Sequence, residues 1–245
     1  MSRLQLKRRR EPATDDFTAS LITVTDPRGI ASEDYRTLRT SLLYSLVDTP
    51  PEVVVVTSPG PSEGKSTTCA NLGVVLAQVD KQTLIVDCDM RKPTIHKIFG
   101  LRNLQGLVNV LAGEHGLHEV CQEALPGLKA ITTGPIPPNP AELLSSRRFT
   151  ELLNQAREGF DYVLLDVPPV GIVSDPAIAA TQGDGVLLVV DAQNTRKGSV
   201  RQAMRSLEGV GANVLGTVMN NVKASRSGYY YRYDYAYGRE SGVQN

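Results

Sequence analysis

The feature that most restricts the fold is a short loop rich in Gly, Pro and Ser that joins an apolar run to a segment with helical periodicity. The apolar run is Val53 to Thr57, the loop continues from Ser58 to Thr67, and the helical pattern covers Lys65 to Val79. A loop between a strand and a helix directs backbone N–H groups and the helix N-terminus toward one point, so this segment predicts phosphate binding. The alternative is an ordinary Gly/Pro loop, which the flanking strand and helix make less favourable.

The residue types within the loop predict a nucleoside triphosphate and a divalent cation, which we expect to be ATP and Mg²⁺. Lys65 would place a positive charge on the β- and γ-phosphates, Ser66 would offer an oxygen to the metal, and Gly64 would allow close approach of the backbone. The nucleotide-binding residues predicted in this loop are Gly60, Ser62, Glu63, Gly64, Lys65, Ser66 and Thr67.

Short runs rich in Val, Ile and Leu alternate with longer segments of helical periodicity along the chain. Such runs predict buried parallel strands, and their alternation with helices predicts an α/β fold of the P-loop NTPase type, with a mostly parallel central sheet and helices on both faces. The predicted strands are 53–57, 83–86, 162–165, 186–190 and 214–219, and the predicted helices are 32–46, 65–79, 140–158 and 199–210.

The length of 245 residues suits one sizeable α/β domain with two tails. We predict a basic N-terminal arm over residues 1–24, a P-loop domain over 25–222 and a flexible Tyr-rich tail over 223–245. The basic arm suits either an anionic lipid surface or simple solvation. Basic and acidic residues number 26 each, so the chain has no global positive field and we expect no nucleic-acid partner.

The cysteine and hydropathy patterns indicate the compartment. The three cysteines are scattered and show no paired spacing, which fits a reducing environment and disfavours a disulfide framework or zinc site. No apolar run approaches the roughly 20 residues that span a bilayer. We therefore expect a cytoplasmic protein whose contact with the inner face of the plasma membrane is peripheral or depends on a partner.

Carboxylates stand at the ends of two predicted strands. Asp87 and Asp89 follow the second strand with Cys88 between them, and the alternation along a strand directs both carboxylates to one side. Asp166 ends the next strand, at the place where a Walker B aspartate holds Mg²⁺. Ligands bind outside the carboxyl ends of parallel strands, so all three side chains are candidates for the phosphate site. The alternative is that these polar strand ends merely cap the following turns.

Together these motifs resemble the bacterial tyrosine kinases of capsule and exopolysaccharide synthesis. The resemblance spans most of the chain and rests on the order of its motifs. They are the phosphate loop, Asp87-Cys88-Asp89-Met90-Arg91-Lys92-Pro93, Asp166-Val167-Pro168-Pro169, the Tyr-rich end, Glu33-x-x-Arg36-x-x-Arg39, Pro137 to Leu144, and Asn220-Asn221.

The resemblance implies a role for each matching residue. Lys65 and Ser66 would bind phosphates and metal, while Asp89 and Asp166 would organise Mg²⁺. Asp87 would act as the base or orienting group for a tyrosine hydroxyl. Arg91 would belong to the same catalytic group, and Asn220 is a candidate adenine contact.

Six of the nine tyrosines lie within nine residues near the end of the chain. They are interpreted as phosphoacceptors, and the alternatives are a sticky aromatic tail or a strand at a sheet edge. Four basic and two acidic residues give this tail a charge near +2, and each phosphate adds about −1.5 to −2, so two or three modifications reverse the sign. The candidate acceptors are Tyr229, Tyr230, Tyr231, Tyr233, Tyr235 and Tyr237.

The resemblance also predicts partners. Glu33, Arg36 and Arg39 repeat at spacings of three and are expected to contact a neighbouring copy in a ring-like homo-oligomer, although an internal Glu33 to Arg36 pair is the alternative. A membrane adaptor of the polysaccharide co-polymerase type is expected to activate the kinase.

Two other functions fit the phosphate loop. A partitioning or MinD-like P-loop ATPase would hydrolyse ATP, but these proteins usually carry a Lys five residues before the catalytic Lys, where this chain has Gly60. A regulatory module modified by a separate kinase is the non-enzymatic alternative. Transfer of phosphate to tyrosine distinguishes the three.

Overall fold

A seven-stranded sheet forms the centre of the computed structural model, which describes residues 20–45 and 50–223. The strand order is β3-β4-β2-β5-β1-β6-β7, and every pairing is parallel except that of β3 with β4. The sheet is therefore mostly parallel, as the sequence predicted. The strands are β1 (Val53–Thr57), β2 (Thr83–Asp87), β3 (Cys121–Leu125), β4 (Leu128–Ile131), β5 (Tyr162–Asp166), β6 (Gly185–Asp191) and β7 (Val214–Asn220).

Helices cover both faces of the sheet. Alternate residues of β1 face opposite sides, so Val53 and Val55 belong to one buried cluster and Val54 and Val56 to the other. No helix among the described residues is long and apolar enough to cross a membrane. The helices are α1 (Ile22–Thr25), α2 (Ile30–Leu43), α3 (Lys65–Ala77), α4 (Ile95–Phe99), α5 (Leu107–Ala112), α6 (Leu117–Val120), α7 (Pro140–Leu144), α8 (Arg147–Gly159), α9 (Asp175–Ala180) and α10 (Lys197–Glu208).

The register of the central strands brings their carboxyl ends to one edge. Asp87 of β2 lies opposite Asp166 of β5, and Asp166 lies opposite Val56 of β1. The loop that follows β1 therefore starts beside both carboxylates. Adjacent strands lie about 4.8 Å apart, so this register is what brings the predicted site residues together.

Several elements differ from the sequence prediction, which did not include the short helices α1, α4, α5, α6 and α9. The segment 140–158 is two helices, α7 and α8, because the hydroxyl of Ser146 accepts a hydrogen bond from the N–H of Phe149 and caps a new helix. The first predicted helix ends at Leu43, and Leu46 lies outside the described residues. The β3–β4 hairpin was missed because polar residues interrupt its apolar pattern, as Gln122 and Glu123 do in β3.

The packed domain includes residues 20–24, which the prediction assigned to the basic arm. Leu21 and Thr23 are buried, and the N–H and hydroxyl of Thr23 both donate to the side-chain oxygen of Asn71 on α3, at 3.0 and 2.8 Å. Residues 1–19 and the predicted tail from 224 onward lie outside the described residues.

Candidate active site

The phosphate loop adopts a backbone conformation that requires glycine at one position. Gly64 has φ +91°, in the left-handed region that L side chains rarely adopt. A Cβ at this position would lie 2.1 Å from Nδ2 of Asn220. That amide donates to the carbonyl of Glu63 at 3.0 Å. Asn220, at the end of β7, thus supports the loop from the side, and the predicted adenine-contact residue has its amide directed at the loop backbone.

Three further contacts hold the loop against its neighbours. The hydroxyl of Thr57 donates to the carbonyl of Pro168 at 2.7 Å, and the N–H of Val170 donates to the carbonyl of Ser58 at 2.9 Å. The carboxylate of Glu63 accepts the N–H of Asp191 at 3.2 Å and is largely buried. The loop is therefore fixed to the segment that follows β5, and the side chain of Glu63 fixes it to the end of β6.

Lys65 lies between two carboxylates at the base of the loop. Its ammonium is 2.9 Å from Asp89 and 3.2 Å from Asp166. Burial on its own would lower the pKa of Lys65, but the charges of Asp166 and Asp89 outweigh it and raise that pKa. The lysine therefore stays positively charged, as a residue that binds phosphates must.

The second oxygen of Asp166 is the group best suited to a metal site. Asp166 is fully buried, and its Oδ2 has no hydrogen-bond partner among the described residues. Burial raises the pKa of Asp166 above its ordinary value, although the charge of Lys65 and the nearby hydroxyl of Ser66 oppose this shift. A buried carboxylate oxygen without a partner is costly unless a ligand satisfies it, and Mg²⁺ takes oxygen ligands, often through water. The chemistry of Ser66 and Asp166 therefore fits this ion.

No cluster of three or more carboxylate, His or Cys side chains within the described part of the chain forms a metal cage. Nucleotide-bound Mg²⁺ is usually held by one or two carboxylates together with phosphates and several waters.

Asp87 lies behind Asp89, away from the open side of the site. It is fully buried, and its carboxylate accepts the N–H groups of Asp89, Thr94 and Ile95 at 3.2, 3.1 and 3.1 Å. Burial and then the charge of Asp166 raise the pKa of Asp87 to about 8. Its hydrogen bonds shape the loop from β2 to α4, and Asp89 is the carboxylate of that loop that lines the adjacent cavity.

That cavity has a volume of about 350 Å³ and lies over the first turn of α3. The structure brings six of the predicted residues to it, while Gly60 and Glu63 lie elsewhere in the loop. The predicted residues that line the cavity are Ser62, Gly64, Lys65, Ser66, Thr67 and Asp89.

Arg91 is directed away from this cavity. Its guanidinium forms two hydrogen bonds with the carboxylate of Asp175, which is fully buried at the first turn of α9. The pair joins the loop after β2 to the element that follows β5. The sequence analysis did not identify Asp175 as part of the site. An Asp before Pro176 is typical of the start of a helix. Its partner Arg91 lies 84 positions earlier, so no local sequence pattern indicates the pair.

The proposed oligomer motif lies on α2 and has contacts within the chain. Arg36 donates to Glu33 at 2.8 Å on an exposed face and also to the carbonyl of Pro27. Arg39 donates to the carbonyl of Val75, on α3, at 2.9 Å. The internal Glu33 to Arg36 pair is thus present, and Arg39 ties α2 to α3. The six candidate phosphoacceptor tyrosines lie outside the described residues.

Comparison with known proteins identifies the family. A family model described as an AAA domain matches residues 61–217. The tyrosine-protein kinase YwqD of Bacillus subtilis is 41% identical over 215 residues, which cover 86% of this chain and 91% of YwqD. This chain belongs to the bacterial tyrosine-protein kinases. The kinase is also 39% identical to the putative tyrosine-protein kinase EpsB of Ralstonia nicotianae, but spans only 28% of that protein.

Solved structures agree with this assignment. The kinase domain of the Escherichia coli tyrosine kinase ETK has a TM-score of 0.81 and 34% identity, covering 85% of this kinase and 83% of that chain. The chimerical protein CapA2B2 has a TM-score of 0.80 and 38% identity, covering 83% and 90%. The cell division ATPase MinD of Pyrococcus furiosus, at 0.61 and 24%, covers 71% and 74% and shares the fold alone.

The predicted fold and enzyme class are thereby confirmed, and the kinase has a nucleotide-binding P-loop. Its geometry suits phosphoryl transfer, in which positioning and charge neutralisation matter more than covalent chemistry. One lysine and two carboxylates are held by packed elements at the base of an open cavity.

Proposed function

We propose that this kinase binds ATP with Mg²⁺ at the loop from Ser58 to Thr67 and transfers the γ-phosphoryl group to tyrosines in the tail of a neighbouring copy. The observation that carries this proposal is the position of Lys65, held between Asp89 and Asp166 beneath an open cavity. Its ammonium would neutralise the phosphates, and the backbone N–H groups at the start of α3 would orient them.

Ser66 and Asp166 would hold Mg²⁺, with Asp89 beside them. The bound ion would supply charge neutralisation at the β- and γ-phosphate oxygens. The support for this assignment is the buried Oδ2 of Asp166, which lacks a hydrogen-bond partner in the described part of the chain, together with the nearby hydroxyl of Ser66.

Asp87 and Asp89 would have different roles toward the acceptor tyrosine. Asp89 lines the cavity and would meet the incoming hydroxyl, while Asp87 holds the Asp89 N–H and fixes the loop. Asp87 remains our candidate for the base or orienting group, and it would act by fixing, through the N–H of Asp89, the loop that meets the hydroxyl. Arg91 would act by positioning this loop through Asp175 rather than by touching phosphate.

The acceptors would be Tyr229, Tyr230, Tyr231, Tyr233, Tyr235 and Tyr237. An unmodified tail with a charge near +2 can enter an acidic site, whereas a multiply phosphorylated tail is repelled. We infer that copies assemble in a ring through the exposed Glu33 and the partly exposed Arg36, and that modification loosens the ring. The division into an arm, a kinase domain and a flexible tail belongs to this proposal.

The biological role would be the control of capsular or exopolysaccharide synthesis and export. A membrane adaptor of the polysaccharide co-polymerase type would activate the kinase and hold it at the inner face of the plasma membrane. This part rests on the family resemblance. If purified kinase phosphorylated its tail fully without any membrane fragment, dependence on the adaptor would be refuted.

The central experiment distinguishes the copy that transfers the phosphoryl group from the copy whose tail receives it. Kinase carrying six Tyr→Phe changes in the tail is mixed with full-length Lys65→Met, ATP and Mg²⁺, and phosphotyrosine is measured by immunoblot and intact mass. We expect phosphate on the Lys65→Met copy only in the mixture, because catalytic loop and tail then come from different copies. ATP hydrolysis without phosphotyrosine would favour the partitioning ATPase instead. Omitting Mg²⁺ should abolish transfer.

A further inference from the structure

The carboxylate of Asp191 organises the turn that follows β6. Asp191 is the last residue of that strand and is buried. One of its oxygens accepts the N–H of Gln193 at 2.8 Å and the N–H of Asn194 at 3.0 Å. The other oxygen accepts the side-chain amide of Asn194 at 2.8 Å, and the side-chain amide of Asn221 donates to both oxygens at 3.3 Å. The carboxylate therefore joins the end of β6 to the residue that follows β7.

Asn221 forms a backbone corner that directs Asn220 at the phosphate loop. Its φ is +55°, in the left-handed region that Asn adopts more readily than most residues. The side-chain amide of Gln193 donates to the backbone carbonyl and to the side-chain oxygen of Asn221, both at 2.8 Å. The N–H of Asn221 donates to the side-chain oxygen of Asn220 at 2.9 Å. The corner therefore orients the Asn220 carboxamide, whose Nδ2 then meets the carbonyl of Glu63.

Glu63 is held at two points by the ends of β6 and β7. Its carbonyl accepts from Asn220 at 3.0 Å, and its carboxylate accepts the N–H of Asp191 at 3.2 Å. Asp191 and Asn220 lie opposite each other in the sheet, so the two points are fixed relative to one another. In a planar trans peptide, the carbonyl and the following N–H point in opposite directions. The N–H of Gly64 is therefore directed away from Asn220, and Gly64 lines the phosphate cavity.

We propose that Asp191 is a positioning residue for the phosphates of the nucleotide. It acts through the corner at Asn221, which orients Asn220, which in turn fixes the peptide between Glu63 and Gly64. Without the carboxylate, this peptide would be free to rotate, and its N–H would meet a phosphate oxygen less well. This role rests on the proposed binding of ATP at the loop and adds a residue outside the loop that determines the loop's geometry.

The test measures the affinity for phosphates directly. Asp191→Ala removes the carboxylate but keeps the backbone N–H that Glu63 accepts, whereas Asn221→Gly removes the carboxamide but still permits the positive φ. Binding of ADP and of inorganic tripolyphosphate to the full chain, each with Mg²⁺, is measured by calorimetry. We expect each variant to weaken both ligands by the same factor, about three- to tenfold, because both ligands present phosphates to the loop. The double variant should lose no more than the single variants, since the two residues act in series.

Asn194→Ala is the matched control. The side-chain amide of Asn194 donates to the same Asp191 carboxylate from within the turn. We expect this variant to lower the melting temperature and to bind both ligands as the wild type does. If Asp191→Ala fails to fold, Asn221→Gly alone still gives the decisive comparison with this control.

Three results would overturn the role of Asp191. Unchanged affinities in folded variants would show that the residue serves stability alone. Weaker binding of ADP with unchanged binding of tripolyphosphate would place the effect at the base rather than at the phosphates. Additive losses in the double variant would show that Asp191 does not act through Asn221. Failure of the wild type to bind either ligand would instead refute the proposed function.

Discussion

The two carboxylate oxygens of Asp175 accept hydrogen bonds from Nε and Nη2 of Arg91 at 2.9 and 3.2 Å. Asp175 is fully buried, whereas the Arg91 side chain is 45% exposed. The pair connects the loop that carries Asp89 to the helix that follows the Asp166 loop. It therefore couples the positions of the two carboxylates that hold Lys65.

Substitution of Asp175 should impair transfer more than nucleotide binding. Asp175→Asn removes one of the two carboxylate oxygens that accept from Arg91, so the loop that carries Asp89 is held less firmly. Misplacement of a reacting group by about 1 Å can lower the rate about 100-fold. We expect tail phosphorylation to fall about 10- to 100-fold while the affinity for ADP changes less than about threefold. Steady-state assays of kcat and KM for ATP measure the difference.

The pair of Arg91 and Asp175 should also contribute to the free energy of unfolding. Arg91→Ala leaves a buried carboxylate without its partner, so it should destabilise the kinase more than the double variant Arg91→Ala/Asp175→Ala. Urea denaturation of the two single variants and the double variant measures the coupling. Additive losses would show that the pair does not act as a unit.

Gly64→Ala should disrupt the phosphate loop. The backbone at this position has φ +91°, and the new Cβ would lie 2.1 Å from Nδ2 of Asn220. We expect a loss of about 1 to 3 kcal/mol in the free energy of unfolding and no stabilisation by ADP in thermal melts. Gly159→Ala is the matched control, because a Cβ there would meet no atom of residues 20–45 or 50–223 within 4 Å.

Asp184 should stabilise, in a pH-dependent manner, the edge of the sheet formed by the amino ends of the strands, opposite the active site. Partial burial opposes the shift, but hydrogen bonds from Arg157 and the N–H of Val53 hold the pKa of Asp184 below its ordinary value of 3.8. The stabilisation is therefore present above pH 3.8 and lost as the pH falls through the lower folded-state pKa.

Asp184→Asn should thus cost about 1 to 3 kcal/mol at neutral pH, and the difference from wild type should shrink as the pH falls below 4. Urea midpoints at several pH values measure this. Kinase activity at neutral pH should survive, because Asp184 precedes β6 at the edge opposite the active site. A pH-independent difference would contradict the assigned cause.

Substitutions in the proposed oligomer motif should have two different effects, one on stability and one on assembly. Arg39 binds the carbonyl of Val75 within the same chain, so Arg39→Ala should lower the melting temperature. Glu33 and Arg36 pair on an exposed face, and their combined substitution by Ala should cost about 0.5 kcal/mol or less. If they also contact a neighbouring copy, this double variant should reduce the oligomeric mass in light scattering and slow tail phosphorylation. Unchanged mass and phosphorylation would exclude a role in assembly.

Local sequence patterns were sufficient to predict the α/β architecture, because buried strands and helices have characteristic periodic patterns of apolar residues. The run Val53–Thr57 is a strand as predicted, and the loop after it ends at a helix that starts at Lys65. The short hairpin of β3 and β4 was not predicted, because the side chains of β3 are not fully buried and polar residues interrupt its apolar pattern. The break at Ser146 depends on one hydroxyl, which a periodicity argument does not detect.

The sequence by itself determined the family, the phosphate loop, and the strand ends from which Asp87, Asp89 and Asp166 project, because each depends on residues close together in the chain. Only the tertiary structure decided how these groups are used. It buries Asp87 behind Asp89, turns Arg91 to Asp175, and places Asn220 against a loop that lies 157 residues earlier. These outcomes depend on strand order and register, which bring distant segments into contact and which no local pattern specifies.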